Sequence, residues 1–547
     1  MTESDEPAAL ELAVRDVDVG SDPPQPARSK AKLITIILAL FVSLFLAALD
    51  YTIVSPAIPT IAAHFHSASV YAWIGSAYIL ANAAFTVIWS KVSDIWGRKP
   101  ALLMAIATFF VGSALSGAAQ STSMVIVGRA VQGSAAGGLI VLVSICISDL
   151  FSMRQRSLIL GWTNGVWALA SGIGPVLGGA FTEQVSWRWC WYINLPFSAL
   201  AFLLIFLLLD VHNPKTPLMA GLKAIDWFGS LAILGVTIML LLGLQFGGVT
   251  FPWNSPTVIC LIVFGLVMIA IFAVSEAKLA RFPLMPLELF RSKSNVAVFI
   301  VCFSHGMIYV SIVYFLPLYF QAVGEASPLI SGVLVLPVAI LECIVGVLAG
   351  YINQITGRYI EVIVIGTAAM TLGCGLLIDL GASFSLPKVI IYQLVVGVGT
   401  GLLYQPPLIA LQTLVKSQED VAAATATFSF VRNIAAAISV MAGQVVFQNG
   451  MEAHASLLSE SLPASVADLF LGKDAAANVV VVRGLSVTQK LPVKRAFAAS
   501  MRNIWIMYAC VAAVGLLASL LIGKHTLSTQ HSETKTGIVK EKETEAR

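Results

Sequence analysis

The feature that most constrains this chain is the recurrence, from about residue 34 to residue 522, of apolar runs some twenty residues long. At ~1.5 Å per residue, a helix of that length crosses the ~30 Å hydrocarbon core of a bilayer, where backbone N–H and C=O groups must be satisfied without water. The sequence therefore predicts an all-α integral membrane protein. Spans are expected at roughly 34–58, 70–90, 100–118, 122–147, 158–181, 192–210, 227–246, 257–275, 296–320, 329–352, 360–380, 389–415, 421–447 and 503–522. Composition agrees: 58% hydrophobic against 11% charged places most of the chain in lipid, and nothing between the runs resembles a catalytic domain. A formal charge of +3, spread over short hydrophilic connections, gives no reason to expect a nucleic-acid partner. The seven cysteines lie in or beside apolar runs without a CxxC pair, so neither disulfides nor a metal cluster is expected.

Charge asymmetry predicts the topology. With the amino terminus inside, Lys91, Arg98, Lys99, Arg154, Arg156, Lys215, Lys223, Lys278, Arg281, Arg291, Lys293, Arg358 and Lys416 fall on interior connections. Short exterior connections carry only Arg188 and Lys388, so both termini are expected in the cytosol and the number of spans must be even. Residues 1–33 read as a disordered cytosolic tail rather than a cleavable signal, 523–547 as a second cytosolic tail, and 448–500 as a long exterior loop. One internal match stands out. SKVSDIWGRK (90–99) and GYINQITGRY (350–359) share Ile-x-Gly-Arg, each just after the second span of a six-span group. The expected organisation is a six-helix bundle (34–210), a two-helix insert with its flanking loops (211–294) and a second six-helix bundle (295–522). Two such halves rocking about a site near the midplane form an alternating-access architecture.

Four stretches carry a resemblance: LDYTIVSPAIP (49–59), KVSDIWGRKPALL (91–103), VGRAVQGSAAGG (127–138) and SGIGPVLGG (171–179). Together they resemble the major facilitator superfamily, in particular its fourteen-helix drug:proton antiporter branch and the fungal toxin-efflux members of that branch. The WRW…INLP run (187–196) and YFLPLYFQAVGEASPLISG (314–332) are similar to the same branch. Two departures are visible: Ser90 stands where the loop motif usually opens with Gly, and Ser55-Pro56 where Asn-Val is usual. The resemblance implies the major facilitator fold in a monomer that needs no cofactor and no metal. It also implies that protons and a small amphipathic organic compound are the partners, in the plasma membrane or alternatively the vacuolar one.

The motif residues have readings of their own. Asp50 lies inside an apolar helix, where an ionised carboxylate is costly without a compensating cation, so it can bind and release a proton. Counting from the outer helix ends puts Asp50 about 12 Å and Arg129 about 10 Å deep, so the two can meet. They form either a proton-coupling site or a static buried ion pair. Glu342 and Arg432, roughly 15 and 18 Å from their inner helix ends, are a second candidate pair, outside the family motifs. In the loop motif, Asp94 can cap or bridge a helix end, Gly97 permits a tight turn, and Arg98 and Lys99 are placed in the headgroup zone. The resemblance makes this loop a latch between the halves. Gly174, Pro175, Gly178 and Gly179 thin and weaken the fifth helix; the resemblance marks the set as an exporter signature, and ordinary close packing is the alternative. Gln132, Asn164, Trp167, His305, Tyr314, Gln405 and Gln412 are candidate cavity residues, since a few polar groups in an apolar wall suit an amphipathic molecule. His305 reads first as an interhelical hydrogen-bonding residue. Gly397, Gly399 and Gly401 before Pro406-Pro407 predict a bendable twelfth helix.

Export of an amphipathic organic compound such as a fungal secondary metabolite, toxin or drug is the function expected. No GxxxxGK[ST] is present, so a proton gradient rather than ATP is the expected energy source. A siderophore or basic amino acid carrier of the same fold, and a transporter-like receptor, stay open as alternatives. No Ser/His/Asp, HExxH or paired-carboxylate arrangement suggests an enzyme, and no repeated filter suggests a channel.

Overall fold

The computed structural model describes residues 29–529, apart from 66–67, 213, 215, 249–250, 281–282, 416–419, 472–474 and 477. Residues 1–28 of the tail expected at 1–33, the last residues from 530 on, and Lys215, Arg281 and Lys416 lie outside the described residues, while α1 begins within that expected tail, at Lys30. The protein is a multi-pass membrane protein, and the described residues are helical with fourteen helices long and apolar enough to cross a bilayer. The first six are α1 (Lys30–Ala57), α2 (Trp73–Trp96), α3 (Arg98–Gly117), α4 (Thr122–Leu150), α5 (Met153–Gln184) and α6 (Trp189–Leu208). Then come α7 (Trp227–Phe246) and α8 (Pro256–Leu279). The last six are α9 (Lys293–Ala322), α10 (Pro328–Thr356), α11 (Ile360–Leu377), α12 (Leu386–Leu414), α13 (Asp420–Ala453) and α14 (Val487–Ser519).

Local chemistry sets many of the ends. Ser29, Ser121, Asp226, Ser255 and Ser327 each accept a backbone N–H of the first turn of the helix they open, and Pro256 and Pro328 occupy first positions where no N–H is missed. The Ser55-Pro56 departure has a local effect: α1 gives way at Val54 to a 3-10 turn, Ser55–Ala57, and then a short helix, Ile58–His64. In α12 the helix breaks between Leu403 and Pro406, because Pro406 has no N–H and restricts Gln405 before it. One expected boundary is corrected. The last helix starts at Val487 and not near 503, opened by a capping box between Ser486 and Gln489. Its first turns are too polar to read as a span, yet Val493, Ala496 and Phe497 are buried against the segment preceding it. The connection from Ala453 to Val487 is correspondingly shorter than expected and itself contains short helices.

The two six-helix groups pack alike. In the first, α1 lies against α5 and α6, α4 against α2 and α3, and α3 against α6; in the second, α9 lies against α13 and α14, α12 against α10 and α11, and α11 against α14. Every partnership recurs eight helices later, as it must if one unit was built twice. The Ile-x-Gly-Arg repeat marks the same turn in both units. Gly97 (φ 97°) and Gly357 (φ 69°) hold backbone conformations that a Cβ disfavours, at the α2–α3 and α10–α11 corners. The insert pair, α7 and α8, packs on itself and seats α7 against α2 and α13, one helix from each unit.

Hydrogen bonds that join the two units gather in the part of the spans nearest the chain termini, among the described residues. They run from Ser90 Oγ to the Ala422 carbonyl (3.2 Å), from Gln405 to Thr163 (3.1 Å), from Gln412 to Ser148 (3.0 Å) and from Arg156 to Gln412 (3.0 Å). Asn433 donates to Asn82 (3.2 Å) nearer mid-depth. The segment after α14 straps this face: Arg154 of the first unit donates to the Leu527 carbonyl (3.1 Å), while the Leu527 N–H donates to the Gly357 carbonyl of the second (3.0 Å).

Candidate functional site

The first unit encloses a charged network in an otherwise apolar core. Asp50 is fully buried on α1. Its Oδ2 accepts from Arg129 Nη1 of α4 at 2.5 Å, and its Oδ1 accepts from Gln132 Nε2 (3.0 Å) and from Asn194 Nδ2 of α6 (2.7 Å). Arg129 is held on three further sides: Nε donates to the Ile74 carbonyl (3.0 Å), Nη1 to Gln132 Oε1 (3.0 Å), and the guanidinium lies 4.3 Å from the Tyr78 ring centre on α2. Gln132 Nε2 also reaches Ser113 Oγ of α3 at 2.8 Å. Five helices thus converge on one carboxylate. In a region where water cannot screen, such charges persist only when paired and hydrogen-bonded throughout.

The structure therefore brings Asp50 and Arg129 together, and moves Gln132 from the cavity wall, where sequence placed it, into this network. Its side-chain amide is what the second carboxylate oxygen and the Ser113 hydroxyl need. Asn194 was missed, although INLP at 193–196 was already conspicuous in the sequence; an asparagine preceding a proline-containing first turn reads as a helix start and not as a buried donor.

Two aromatic groups flank the space between the units. On the first, Tyr51 touches Tyr78 and Trp167, with ring centres 6.1 and 6.2 Å apart. On the second, His305 stacks on Tyr309 (6.2 Å) and meets Tyr404 edge-on (5.9 Å), and Arg432 lies 4.6 Å from the Tyr404 ring centre. Tyr51 is 48% exposed beside these rings, and we take it to line a cleft between the units. Tyr51, Tyr309 and Tyr404 escaped sequence reasoning because a tyrosine on a membrane helix gives no periodic signal that separates cleft from packing.

The other expected site residues sort by contact. His305 Nε2 meets the Thr400 carbonyl at 3.1 Å, the interhelical role read first from sequence. Trp167 lines the cleft beside Tyr51. Asn164 is buried against Gly346 of the other unit, while Gln405 and Gln412 bond across the units to Thr163 and Ser148, so these three close the interface near the termini instead of facing an open cavity. Tyr314 is half exposed, and its ring meets Phe315 edge-on at 5.0 Å. Glu342 and Arg432 form no ion pair among the described residues. Arg432 donates instead to the Tyr404 carbonyl and lies between the Tyr404 and Phe428 rings, while its buried Nε has no hydrogen-bond partner among the described residues.

At the α2–α3 corner, Arg98 is the first residue of α3 and is buried within the protein. It is clasped by Asp94, by Asp149 of α4 (2.7 Å) and by Ser93 (2.7 Å), because two carboxylates and a hydroxyl replace the water it gives up. Lys99 lies 5.5 Å over the Phe206 ring. On α5, a Cβ at Gly174 would strike Thr52 and one at Gly178 the Ile53 carbonyl, so these two let α1 and α5 touch. Gly179 has open space around it and Pro175 is exposed; neither takes part in that contact.

A membrane protein of two like-packed six-helix units, meeting at one end around a cleft with a dry charged pair beside it, has the build of a secondary transporter. Comparison agrees: the Major Facilitator Superfamily model matches residues 40–440, and the chain belongs to that family. It is 48% identical to "Efflux pump dotC" of Dothistroma septosporum, over 94% of this chain and 88% of that protein. It is 36% identical to an "Acurin A biosynthesis cluster MFS-type transporter" of Aspergillus aculeatus, over 92% and 91%. Among solved structures its fold is similar to the proton:xylose symporter XylE, with a TM-score of 0.57 at 13% identity over 91% of this chain and 98% of that one.

Proposed function

We propose that this chain exports amphipathic organic molecules of the secondary-metabolite or toxin kind in exchange for protons. The observation that carries the proton part is the Asp50 network. Ionised Asp50 accepts three hydrogen bonds and balances Arg129; protonated, it loses its charge and one acceptor, so its hold on the guanidinium weakens. Arg129 touches Tyr78, and Tyr78 touches Tyr51 on the cleft wall, so the protonation state is conveyed to the place where cargo would lie. Competition between a proton and cargo is then a matter of one charge balance. Glu342, buried and without an ion-pair partner among the described residues, is the second proton acceptor in this reading.

Cargo chemistry is inferred from the walls: rings of tyrosine, tryptophan and histidine, with Asn82, Asn433 and Arg432 as polar points, suit a flat amphipathic molecule. The names of the fungal relatives support the direction of transport. With both termini in the cytosol, as the lysine and arginine pattern suggests, the closed end is cytosolic and the cleft opens outward. Ser90, one of the two departures from the family motifs, then forms part of the inner closure through Ala422, and the Asp94 to Lys99 turn behind it acts as the latch. The protein acts as a monomer in the plasma membrane in this proposal. Purified protein in proteoliposomes, tested with an imposed pH gradient and a panel of fluorescent amphipathic dyes, decides it: gradient-dependent flux of at least one dye is expected, and no flux of any dye would remove the transport reading.

A further inference from the structure

On the face opposite the termini, an open cleft of about 560 Å³ lies between the first turns of α14 and the turn that follows α11. Arg495, Ala498, Ala499 and Arg502 line one wall, at spacings that put them on a single helix face. The two alanines keep that wall low, and the arginines stand at its ends, about 10 Å apart along the axis. Opposite are Asp379 and Gly381; no atom lies within 4 Å of where a Cβ on Gly381 would be.

Charge balance is uneven here. Asp379 is already matched by Lys388 (2.9 Å) and by the Tyr392 hydroxyl (2.8 Å). Lys494, next to Arg495, and Lys490, about one turn earlier, are both taken by Glu325 at 2.6 Å. Arg495 and Arg502 are exposed and make no hydrogen bond or ion pair among the described residues, so the cleft holds two uncompensated guanidiniums. Below Arg502 the same side of α14 continues as exposed apolar surface through Ile506 and Leu517. Cationic heads above and an oily strip beneath are complementary to one kind of molecule.

We propose that this cleft binds a phosphate-bearing anionic headgroup, supplied by a phospholipid whose acyl chains follow the α14 strip. Paired guanidiniums at a membrane boundary recognise phosphate by charge-assisted, often bidentate hydrogen bonds. The site is remote from the Asp50 network and does not depend on the transport reading.

Detergent-purified full-length protein, titrated separately with dihexanoyl phosphatidylglycerol, dihexanoyl phosphatidylcholine and inorganic phosphate, tests this by native mass spectrometry and melting temperature. Saturable phosphatidylglycerol binding is expected, with little for phosphatidylcholine, and Arg495→Gln with Arg502→Gln should weaken it roughly fivefold each and about thirtyfold together. Equal, arginine-dependent stabilisation by inorganic phosphate alone would support the anion site and identify the free ion as its source. Equal affinity for the two lipids, or unchanged phosphatidylglycerol affinity in the double variant, overturns it. Should the double variant fail to fold, Gly381→Leu fills the cleft from the opposite wall, where there is room for it; undiminished binding in that variant overturns the proposal as well.

Discussion

Replacing Asp50 by Asn keeps the shape of the side chain, removes its charge and leaves the groups around it short of acceptors. The carboxylate receives three donors, from Arg129, Gln132 and Asn194. An amide offers one oxygen and one NH2, so at least one of those donors would face another donor, and a guanidinium with 3% exposure would lose its anion. Removing one member of a buried pair costs about 3–5 kcal/mol, a large share of the stability of a typical domain. Removing both members is different. In Asp50→Asn combined with Arg129→Gln the stranded charge is gone, and most of that stability is expected to return, because a buried pair is often worth little against neutral groups of similar volume. Stability and coupling therefore separate. A pair that is merely structural predicts that the double variant regains both melting temperature and gradient-driven flux. A proton-coupling pair predicts regained melting temperature with flux down its own gradient, but no accumulation driven by pH. The assay is dye uptake into proteoliposomes with and without an imposed pH gradient, alongside thermal denaturation. Gradient-driven accumulation in the double variant equal to the parent protein would refute the coupling role.

Three further outcomes are expected. Gly178→Ala should lower stability by about 1–3 kcal/mol, because the new methyl meets the backbone carbonyl of Ile53 and backbone cannot step aside, whereas Gly179→Ala should be neutral or slightly stabilising; paired melting curves check both. Ser90→Ala removes the bond to the Ala422 carbonyl, worth about 1 kcal/mol, and should reduce amide-exchange protection near residues 86–96 about fivefold, read by hydrogen–deuterium exchange. Glu325, outside the spans, is held below the usual carboxylate range by hydrogen bonds from Lys490 and Lys494. A depressed folded value means that its contribution is complete above the unfolded value, near pH ~4.3, and fades as pH falls through the folded one. Glu325→Gln should thus cost at most about 1 kcal/mol at neutral pH and nothing in strong acid, measured as melting temperature against pH.

The fold was legible because lipid enforces it: each span must satisfy its backbone alone, and that demand writes long apolar runs which any reader can find. The seventh span, 227–246, was placed to the residue because Asp226 caps it and Gly247 ends it, both chemically explicit. The start of α14 was not, since Thr488, Lys490 and Lys494 look like loop while a buried apolar face continues the helix among them. Site residues divided in a similar way. Asp50 and Arg129 were findable because a charge in oil demands a partner and depth along a helix is arithmetic. Whether a polar residue faces cargo, a neighbouring helix or a buried ion depends on rotation about the helix axis, and a span apolar all round gives no moment from which to read that rotation. The partners of Gln132, Gln405 and Gln412 could not be read from the sequence for this reason. The burial of Arg98 was hidden for another reason: Asp149, its second partner, lies 51 residues away, and nothing local announces it.

Duplication with divergence explains why the two units differ chemically while packing alike. The corner glycines are kept in both because both corners need positive φ, but Arg98 is buried between two carboxylates whereas Arg358 stands exposed beside Glu361, 4.0 Å away. The same contrast runs through the cores. Around Asp50 the first unit holds an ion pair with its hydrogen bonds filled, which is rigid and discriminates only between charged and neutral. Around Tyr404 the second unit holds rings and one aromatic-stacked cation, which adapt to varied flat shapes, with the buried Glu342 as the acid of that unit. In the proposed exchange, cargo contacts fall mainly on the wall of rings, and the Asp50 pair lies behind the other wall. They need only meet at the cleft, where Tyr51 belongs to the first wall and lies within electrostatic reach of Tyr309 on the second. Substitutions at Tyr309 or Tyr404 are therefore expected to change which dyes are carried and leave pH coupling intact, and a variant there that loses coupling while keeping its dye preference would show that the division does not hold.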